Sequence, residues 1–119
     1  MPSRSEKISA FLPLSPQDLH VLLVLKDGPL HGYGIVRAAE EQFSENLGLD
    51  IGTLYRIVAR LLEKGLIREV PGASRNPTDG RKRRFYRATD LGMQVARSEV
   101  ERLQALLRSP QAADLLEGS

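Results

Sequence analysis

The most informative stretch of this chain is residues 51–65, with the sequence IGTLYRIVARLLEKG. Its apolar side chains recur at helical spacing and fall on one arc of a helical wheel, opposite a glycine and several charged residues. The apolar arc holds Leu54, Ile57, Val58, Leu61 and Leu62, the opposite arc holds Gly52, Arg56, Arg60 and Glu63, and Thr53 and Tyr55 lie at the flanks. Gly65 is placed to end the helix in the left-handed conformation. The pattern predicts an amphipathic helix that buries one side and presents small and basic residues on the other.

Two strands and a long helix are predicted after this segment. Residues 66–70 and 83–88 are strand candidates separated by a loop rich in Pro, Gly and Asn, which indicates a hairpin. Thr89 is positioned to cap a last helix, which Ser109-Pro110 ends, leaving a short tail. The apolar residues of that helix are spaced three, four, three and four apart: Met93, Ala96, Val100, Leu103 and Leu107. Because this spacing is an a/d heptad seam, we expect it to pair two subunits.

Two further helices are predicted before residue 51. Ser15-Pro16 is typical of a helix start, and a second helix is expected over about residues 33–46. The order of helix, helix, helix, strand, strand, helix is that of a winged helix-turn-helix. The predicted fold class is therefore mainly α with a small β-hairpin. We expect an N-terminal arm at 1–14, a winged helix-turn-helix domain at 15–89, and a long C-terminal dimerisation helix with a short tail at 90–119.

The charge of the chain is unevenly distributed. The formal net charge of the 119 residues is only +2. Between Arg68 and Arg87, however, seven side chains are basic and two are acidic, which gives this segment +5 and leaves −3 for the rest. Segregated positive charge is typical of proteins that bind nucleic acid. A solvated basic loop is the alternative explanation, and the surrounding helices favour the first.

The predicted elements suggest specific DNA contacts. The helix at 51–64 is expected to enter the major groove, with Thr53 and Arg56 contacting bases and Gly52 allowing close approach. Phosphate or minor-groove contacts are expected from Arg60 and from the hairpin residues Arg81, Lys82, Arg83 and Arg84. Tyr33 opens a helix and is a candidate phosphate contact, whereas Tyr55 is equally compatible with DNA contact and with packing at the core edge. For Tyr86 we expect a core position, and for His31 a helix cap.

Enzymatic, metal-binding and membrane functions find no support in the sequence. The chain has no Cys, and its only histidines, His20 and His31, are not accompanied by acidic residues at metal-ligand spacing. Glu40 and Glu41 are adjacent on a helix and point in different directions, so they cannot act as an acid/base pair. The longest apolar run is far too short to span a membrane. We therefore expect a cytoplasmic protein that is not an enzyme and uses no metal or cofactor.

Three motifs of the chain resemble those of the PadR-like transcriptional regulators. They are residues 31–35 (HGYGI), 52–55 (GTLY) leading to Arg60-Leu61 and 65–67 (GLI), and 83–92 (RRFYRATDLG), and the resemblance extends from about Leu14 to Leu107. It implies a winged-helix DNA-binding domain followed by a C-terminal dimerisation helix, usually in a bacterial repressor. Arg56 stands where many members have Pro, and Ala88 replaces a common Leu.

The sequence leads to one main prediction and two alternatives. The main prediction is a homodimeric, sequence-specific repressor that binds double-stranded DNA at a pseudo-palindromic operator, with half-sites about 34–36 Å apart. The first alternative is a winged-helix module that binds another protein. The second is a sensor whose dimer interface holds a small-molecule effector, although a chain without Trp and with little C-terminal bulk is not expected to form a large pocket.

Overall fold

A computed structural model describes residues 3–43, 49–71 and 84–118. Helices dominate the described part, together with one small antiparallel sheet. In chain order the elements are α1 (Arg4–Ser9), α2 (Pro16–Val24), β1 (Leu30–His31), α3 (Gly32–Gln42), α4 (Ile51–Glu63), β2 (Ile67–Val70), β3 (Phe85–Ala88), α5 (Asp90–Leu107) and α6 (Pro110–Glu117). The predicted fold class is thus confirmed.

The helix boundaries follow local capping chemistry. Ser15, Asp50 and Thr89 are the N-caps of α2, α4 and α5, and each side-chain oxygen accepts a backbone N–H three residues further on. Gly65 has a φ of 74°, the left-handed conformation expected after α4. These boundaries are close to the predicted ones. The exception is α3, which ends at Gln42 instead of continuing to residue 46; residues 44–48 lie outside the described part.

The sheet has three strands in the order β1-β3-β2, where the sequence predicted a two-stranded hairpin. Leu30 lies opposite Tyr86 and His31 opposite Phe85, so that a two-residue segment before α3 pairs with the wing. A strand this short carries no alternating pattern of its own, and its assignment depends on a partner distant in the sequence. The predicted hairpin pairing itself is present, with Ile67 opposite Ala88.

Short helices lie in the two described segments that the sequence analysis assigned to an N-terminal arm and a C-terminal tail. In the region predicted to be an arm, α1 packs against α5. Residues 110–117, predicted to be a tail, form α6, because Ser109 caps the helix and Pro110 occupies its first turn. Ser109-Pro110 therefore follows the end of α5 and begins α6, in the same way that Ser15-Pro16 begins α2.

The core lies between α2, α3, α4, the inner face of the sheet and the first half of α5. Its most deeply buried apolar side chains are Val21, Leu22, Ile35, Leu54, Ile57, Leu61, Leu66, Ile67 and Val95. The apolar arc of α4 supplies several of them, as its periodicity predicted, although Leu62 is 36% exposed. Burial of this arc fixes α4 in the domain and leaves its other side at the surface.

Candidate nucleic-acid interface

The N-terminal turn of α4 presents a small polar cluster at the surface. Asp50 accepts a hydrogen bond from the backbone N–H of Thr53 at 2.7 Å, and this bond holds the pKa of its carboxyl below the ordinary value. Arg56 in turn donates from Nη2 to Thr53 Oγ1 at 3.1 Å. Gly52 and Arg56 are exposed and Thr53 is half-buried. The two residues predicted to contact bases are thus neighbours on the outer side of α4, and the guanidinium is held by the hydroxyl.

Asp50 is a site residue that sequence reasoning missed. Its carboxylate lies beside Gly52, Thr53 and Arg56 and caps the N-terminus of α4. The signal was present in the sequence, because Asp is a preferred N-cap residue and Asp50 directly precedes the periodic segment that starts at Ile51.

Two tyrosines mark the place where the N-terminal ends of α3 and α4 meet. Tyr33 is 65% exposed and Tyr55 is 51% exposed. A Cβ at Gly32 would lie 3.2 Å from Tyr55 Oη and 3.5 Å from Ile51 Cδ1, so the absence of a side chain at Gly32 lets the two helices approach closely. Tyr55 therefore packs over the start of α3 while keeping half of its surface accessible, so its position is compatible both with packing at the core edge and with DNA contact.

A shallow pocket of about 260 Å³ lies at the start of α3. Its lining consists of His31, Tyr33, Gly34 and Arg37. His31 Nδ1 accepts the backbone N–H of Gly34 at 3.0 Å, which confirms the predicted helix cap. Arg37 follows Tyr33 by one helical turn and is exposed. The pocket therefore combines a phenol and a guanidinium, and both are groups that can donate hydrogen bonds to an anion.

Arg60 has a partner that the sequence analysis did not anticipate. Its Nε donates to Asp18 Oδ2 at 3.1 Å and its Nη2 donates to Asp18 Oδ1. Asp18 is only 4% exposed, whereas the Arg60 side chain is 42% exposed. The bidentate bond to this carboxylate raises the pKa of Arg60. Two of the donors that were predicted to face DNA phosphate are thus used to join α4 to α2.

The wing is described only at its base. Arg84 is exposed, and its Nε lies 3.9 Å from Glu69 Oε1. Arg81, Lys82 and Arg83 lie outside the described residues. Tyr86 is 3% exposed, as expected for a core residue, and burial together with the nearby Glu69 carboxylate raises the pKa of its phenol.

Thr89 and Gly92 hold the start of α5 against the backbone that precedes β2. The backbone N–H of Thr89 donates to Leu66 O at 3.0 Å, and its hydroxyl donates to Gly65 O at 2.7 Å. In the first turn of α5, a Cβ added at Gly92 would collide with Leu66 O and would lie 2.9 Å from Leu66 C. Only glycine fits this close approach of helix to backbone without a shift, so Gly92 fixes the angle at which α5 leaves the domain.

The predicted dimer seam divides into two parts. Ala96 is 3% exposed and Met93 packs against the chain's own core, so these two positions have little surface left for a second subunit. The first half of the seam thus packs within the domain, and its contact with a second subunit stays a prediction. Beyond it, Val100 is 43% and Leu107 is 59% exposed, with Leu103 partly buried between them.

A buried carboxylate lies at the point on α5 where the core-facing half of the helix ends and the exposed half begins. Glu99 is 1% exposed, and its Oε2 accepts the backbone N–H of Leu14 at 2.9 Å and Arg102 Nη2 at 3.2 Å. These contacts, led by the bond from Arg102, hold the pKa of Glu99 below its ordinary value. The segment that precedes α2 is thereby tied to α5.

Within residues 3–43, 49–71 and 84–118, no three His, Asp or Glu side chains converge as metal ligands. Nor is any described helix both long and apolar enough to cross a bilayer.

A protein-family model matches most of this chain. The model of the transcriptional regulator PadR-like family matches residues 21–98 of this chain. The matched region runs from α2 to the middle of α5 and includes every described residue of the candidate interface except Asp18. No curated protein sequence gives a significant match.

Several solved structures share the fold. A PadR-like transcriptional regulator from Bacillus cereus superposes with a TM-score of 0.69 at 20% identity, covering 87% of this chain and 93% of that one. A transcriptional regulator from Clostridium thermocellum gives 0.62 at 24% identity, covering 89% and 91%. Bacillus subtilis PadR, solved in complex with operator DNA, gives 0.63 at 20% identity; the match covers 74% of this chain but 48% of that longer chain.

Proposed function

The chain belongs to the PadR-like family of transcriptional regulators, and we propose that it acts as a homodimeric repressor whose winged-helix domains bind a pseudo-palindromic operator. The observation that carries this proposal is the outer side of α4. Its opposite side is buried in the core, and its first two turns present Gly52, Thr53 and Arg56 at the surface. A rigid helix with exposed forked donors is suited to the major groove of DNA, which is about 12 Å wide.

Within this interface we assign the base contacts to Thr53 and Arg56. The hydrogen bond between them orients the guanidinium before DNA arrives, so less side-chain freedom is lost on binding. Arginine donates two parallel bonds to the O6 and N7 atoms of guanine. Gly52 keeps the start of the helix free of a side chain, and Tyr55 borders the contact surface.

Phosphate contacts are assigned to groups on either side of α4. The pocket of Tyr33 and Arg37 at the start of α3 is suited to one backbone phosphate, and the exposed Arg84 at the base of the wing to another. Arg81, Lys82 and Arg83 keep their predicted role in the wing loop. For Arg60 the proposed phosphate contact is limited to the donors that remain, because Asp18 already binds Nε and Nη2 of its guanidinium.

The second half of α5 is proposed as the dimer surface. Val100 and Leu107 of the predicted seam are exposed together with Leu106, and on α6 the side chains of Leu115 and Leu116 are 84% and 76% exposed. Several large apolar side chains on two consecutive helices are costly to leave in water, and a second subunit would cover them. Two α4 helices would then address half-sites about one DNA turn apart, roughly 34–36 Å.

The deciding experiment is selection of bound fragments from genomic DNA at about 0.15 M salt, where non-specific binding is weak. We expect recovered sites with an inverted repeat. Replacing Arg56 by Ala is expected to cost about 1–3 kcal/mol on the recovered site and to relax its sequence preference. If no fragment is retained, the winged helix is a protein-interaction module instead.

A second candidate function is supported by a groove between α1 and α5. This groove of about 390 Å³ has Arg4, Lys7 and Gln94 beside the apolar Ile8 and Leu91. Its chemistry fits a small organic anion with an apolar body, which would act as an effector of the regulator. A thermal-shift screen of aromatic and aliphatic carboxylates tests this, because a ligand that binds the folded state raises the melting temperature.

A further inference from the structure

Two arginines face each other across the wing strands. The register of β2 and β3 places Arg68 directly opposite Arg87. Directly opposed residues of an antiparallel pair lie on the same face with Cβ atoms about 4.5–5.5 Å apart. Both side chains are exposed, and within the described part of the chain neither has a carboxylate partner. Like charges in this position destabilise a sheet, so the pair costs the fold stability.

The acidic side chain that follows Arg68 in the sequence does not neutralise this pair. Glu69 lies next to Arg68 on β2, and successive side chains of a strand point to opposite faces. Glu69 is paired by register with the buried Tyr86, and its carboxylate lies beside Arg84. Among the described strand residues, Glu69 therefore lies on the inner face of the sheet and both opposed arginines lie on the outer face.

The outer face of the sheet is continuous with the candidate interface. Phe85 lies two residues before Arg87 and thus on the same face. Its ring contacts the His31 ring edge-on, with centroids 5.3 Å apart. His31 in turn lines the pocket that contains Tyr33 and Arg37. A single surface therefore runs from the arginine pair to the start of α3.

We propose that Arg68 and Arg87 form a phosphate-binding site on the outer face of the sheet, where each arginine neutralises a backbone phosphate of DNA whose major groove holds α4. This inference rests on the proposed function and extends its footprint from the helices and wing loop to the strands themselves. DNA is favoured over an acidic protein because the pair adjoins the surface already assigned to phosphate. The repulsion between the two guanidinium groups is then relieved in the complex.

The test measures salt dependence on a probe that requires no knowledge of the operator. A fluorescein-labelled 30-base-pair duplex of mixed sequence is titrated by anisotropy at several salt concentrations between about 0.05 and 0.2 M. We expect Arg68→Gln and Arg87→Gln each to reduce the slope of log affinity against log salt by about 0.9, and the double variant by about twice that. Melting temperatures of the variants are expected to stay equal to that of the unaltered chain or to exceed it.

Matched variants show whether a change in the salt slope comes from positive charge at this site or from positive charge anywhere on the protein. Arg97→Gln removes the same charge from α5, where Arg97 Nε is bonded to Glu101 Oε1 at 3.1 Å, and is expected to leave the slope unchanged. Arg68→Lys keeps the charge and is expected to preserve the slope. Unchanged slopes for both Gln variants, alongside binding by the unaltered chain, would overturn this inference alone and point to an acidic protein as the partner. No binding by the unaltered chain at about 0.05 M salt would overturn the proposed function as well.

Discussion

The ion pair between Asp18 and Arg60 leads to a quantitative prediction about stability. Replacing Arg60 by Ala leaves the Asp18 carboxylate, which is 4% exposed, without its bidentate partner. Removing one partner of a buried pair typically costs about 3–5 kcal/mol. Because the Arg60 side chain is 42% exposed, water can reach the vacated position, and we expect a loss of about 2–3 kcal/mol. For a chain of this length, that is a fall in melting temperature of about 8–12 °C.

A double-mutant cycle isolates the interaction. Stability is measured by urea unfolding followed by circular dichroism for the unaltered chain, Asp18→Asn, Arg60→Ala and the double variant. Asp18→Asn is expected to cost about 1 kcal/mol, since an amide keeps one hydrogen bond and Arg60 can reach water. The double variant should be more stable than Arg60→Ala alone, because it no longer buries an unpaired charge.

An exposed ion pair serves as the control for this cycle. Arg97 and Glu101 form an i, i+4 pair on α5 whose side chains are 82% and 62% exposed. We expect Arg97→Ala to change stability by only about 0.3–0.5 kcal/mol. Arg60→Ala could cost no more than this control, or the effects of Asp18→Asn and Arg60→Ala could be simply additive. Either result would mean that the Asp18–Arg60 pair is not what joins α2 to α4.

Three further predictions concern the helix junctions and the dimer. Gly92→Ala drives a Cβ into the carbonyl of Leu66 and is expected to cost about 1–3 kcal/mol in thermal unfolding. The matched control is Gly52→Ala, whose Cβ would meet only Asp50 Oδ1 at 3.4 Å, an ordinary contact; it is expected to gain about 0.5–1 kcal/mol while weakening operator binding. Because the pKa of Glu99 is lowered by folding, its stabilising contribution is present at neutral pH and is lost as pH falls below about 4.3; Glu99→Gln should remove this loss from a pH series of melting temperatures. Leu107→Glu should convert dimer into monomer in sedimentation velocity at unchanged helix content.

Each of these predictions has a result that contradicts it. A Gly92→Ala chain as stable as the unaltered one would mean that α5 shifts freely away from β2. Identical acid sensitivity with and without Glu99 would place the acid-labile contact elsewhere. A Leu107→Glu chain that still sediments as a dimer would exclude the end of α5 from the interface.

The helices α2, α4 and α5 and their ends could be predicted from the sequence, because they depend on residues close together in the chain. The caps at Ser15 and Thr89 and the left-handed Gly65 follow from the chemistry of single residues next to a periodic segment. The outward position of Thr53 and Arg56 follows from the same 3.6-residue period. These features were predicted, and the structure places them as expected.

The features that involve distant residues could not be predicted in this way. Asp18 lies in the first turn of a helix predicted to start at Ser15-Pro16, Arg60 is predicted to contact DNA, and nothing within three or four positions of either indicates that they meet across 42 residues. Ala96 belongs to a regular heptad, but which turns of a terminal helix face its own core depends on how that helix packs. Burial is a property of the assembled domain, and a period alone does not distinguish an internal core from a dimer seam.

By itself, the sequence determined the order of the four main helices and the two wing strands, the basic character of the wing segment and the side of α4 that faces outward, because periodicity, capping and charge are local quantities. Only the tertiary structure decided that Leu30–His31 joins the sheet, that Asp18 binds Arg60, and that Arg68 stands opposite Arg87. The reason is the same in each case. Register and ion pairing depend on the distance between side chains after the chain has folded, and that distance is set by the packing of all the elements together.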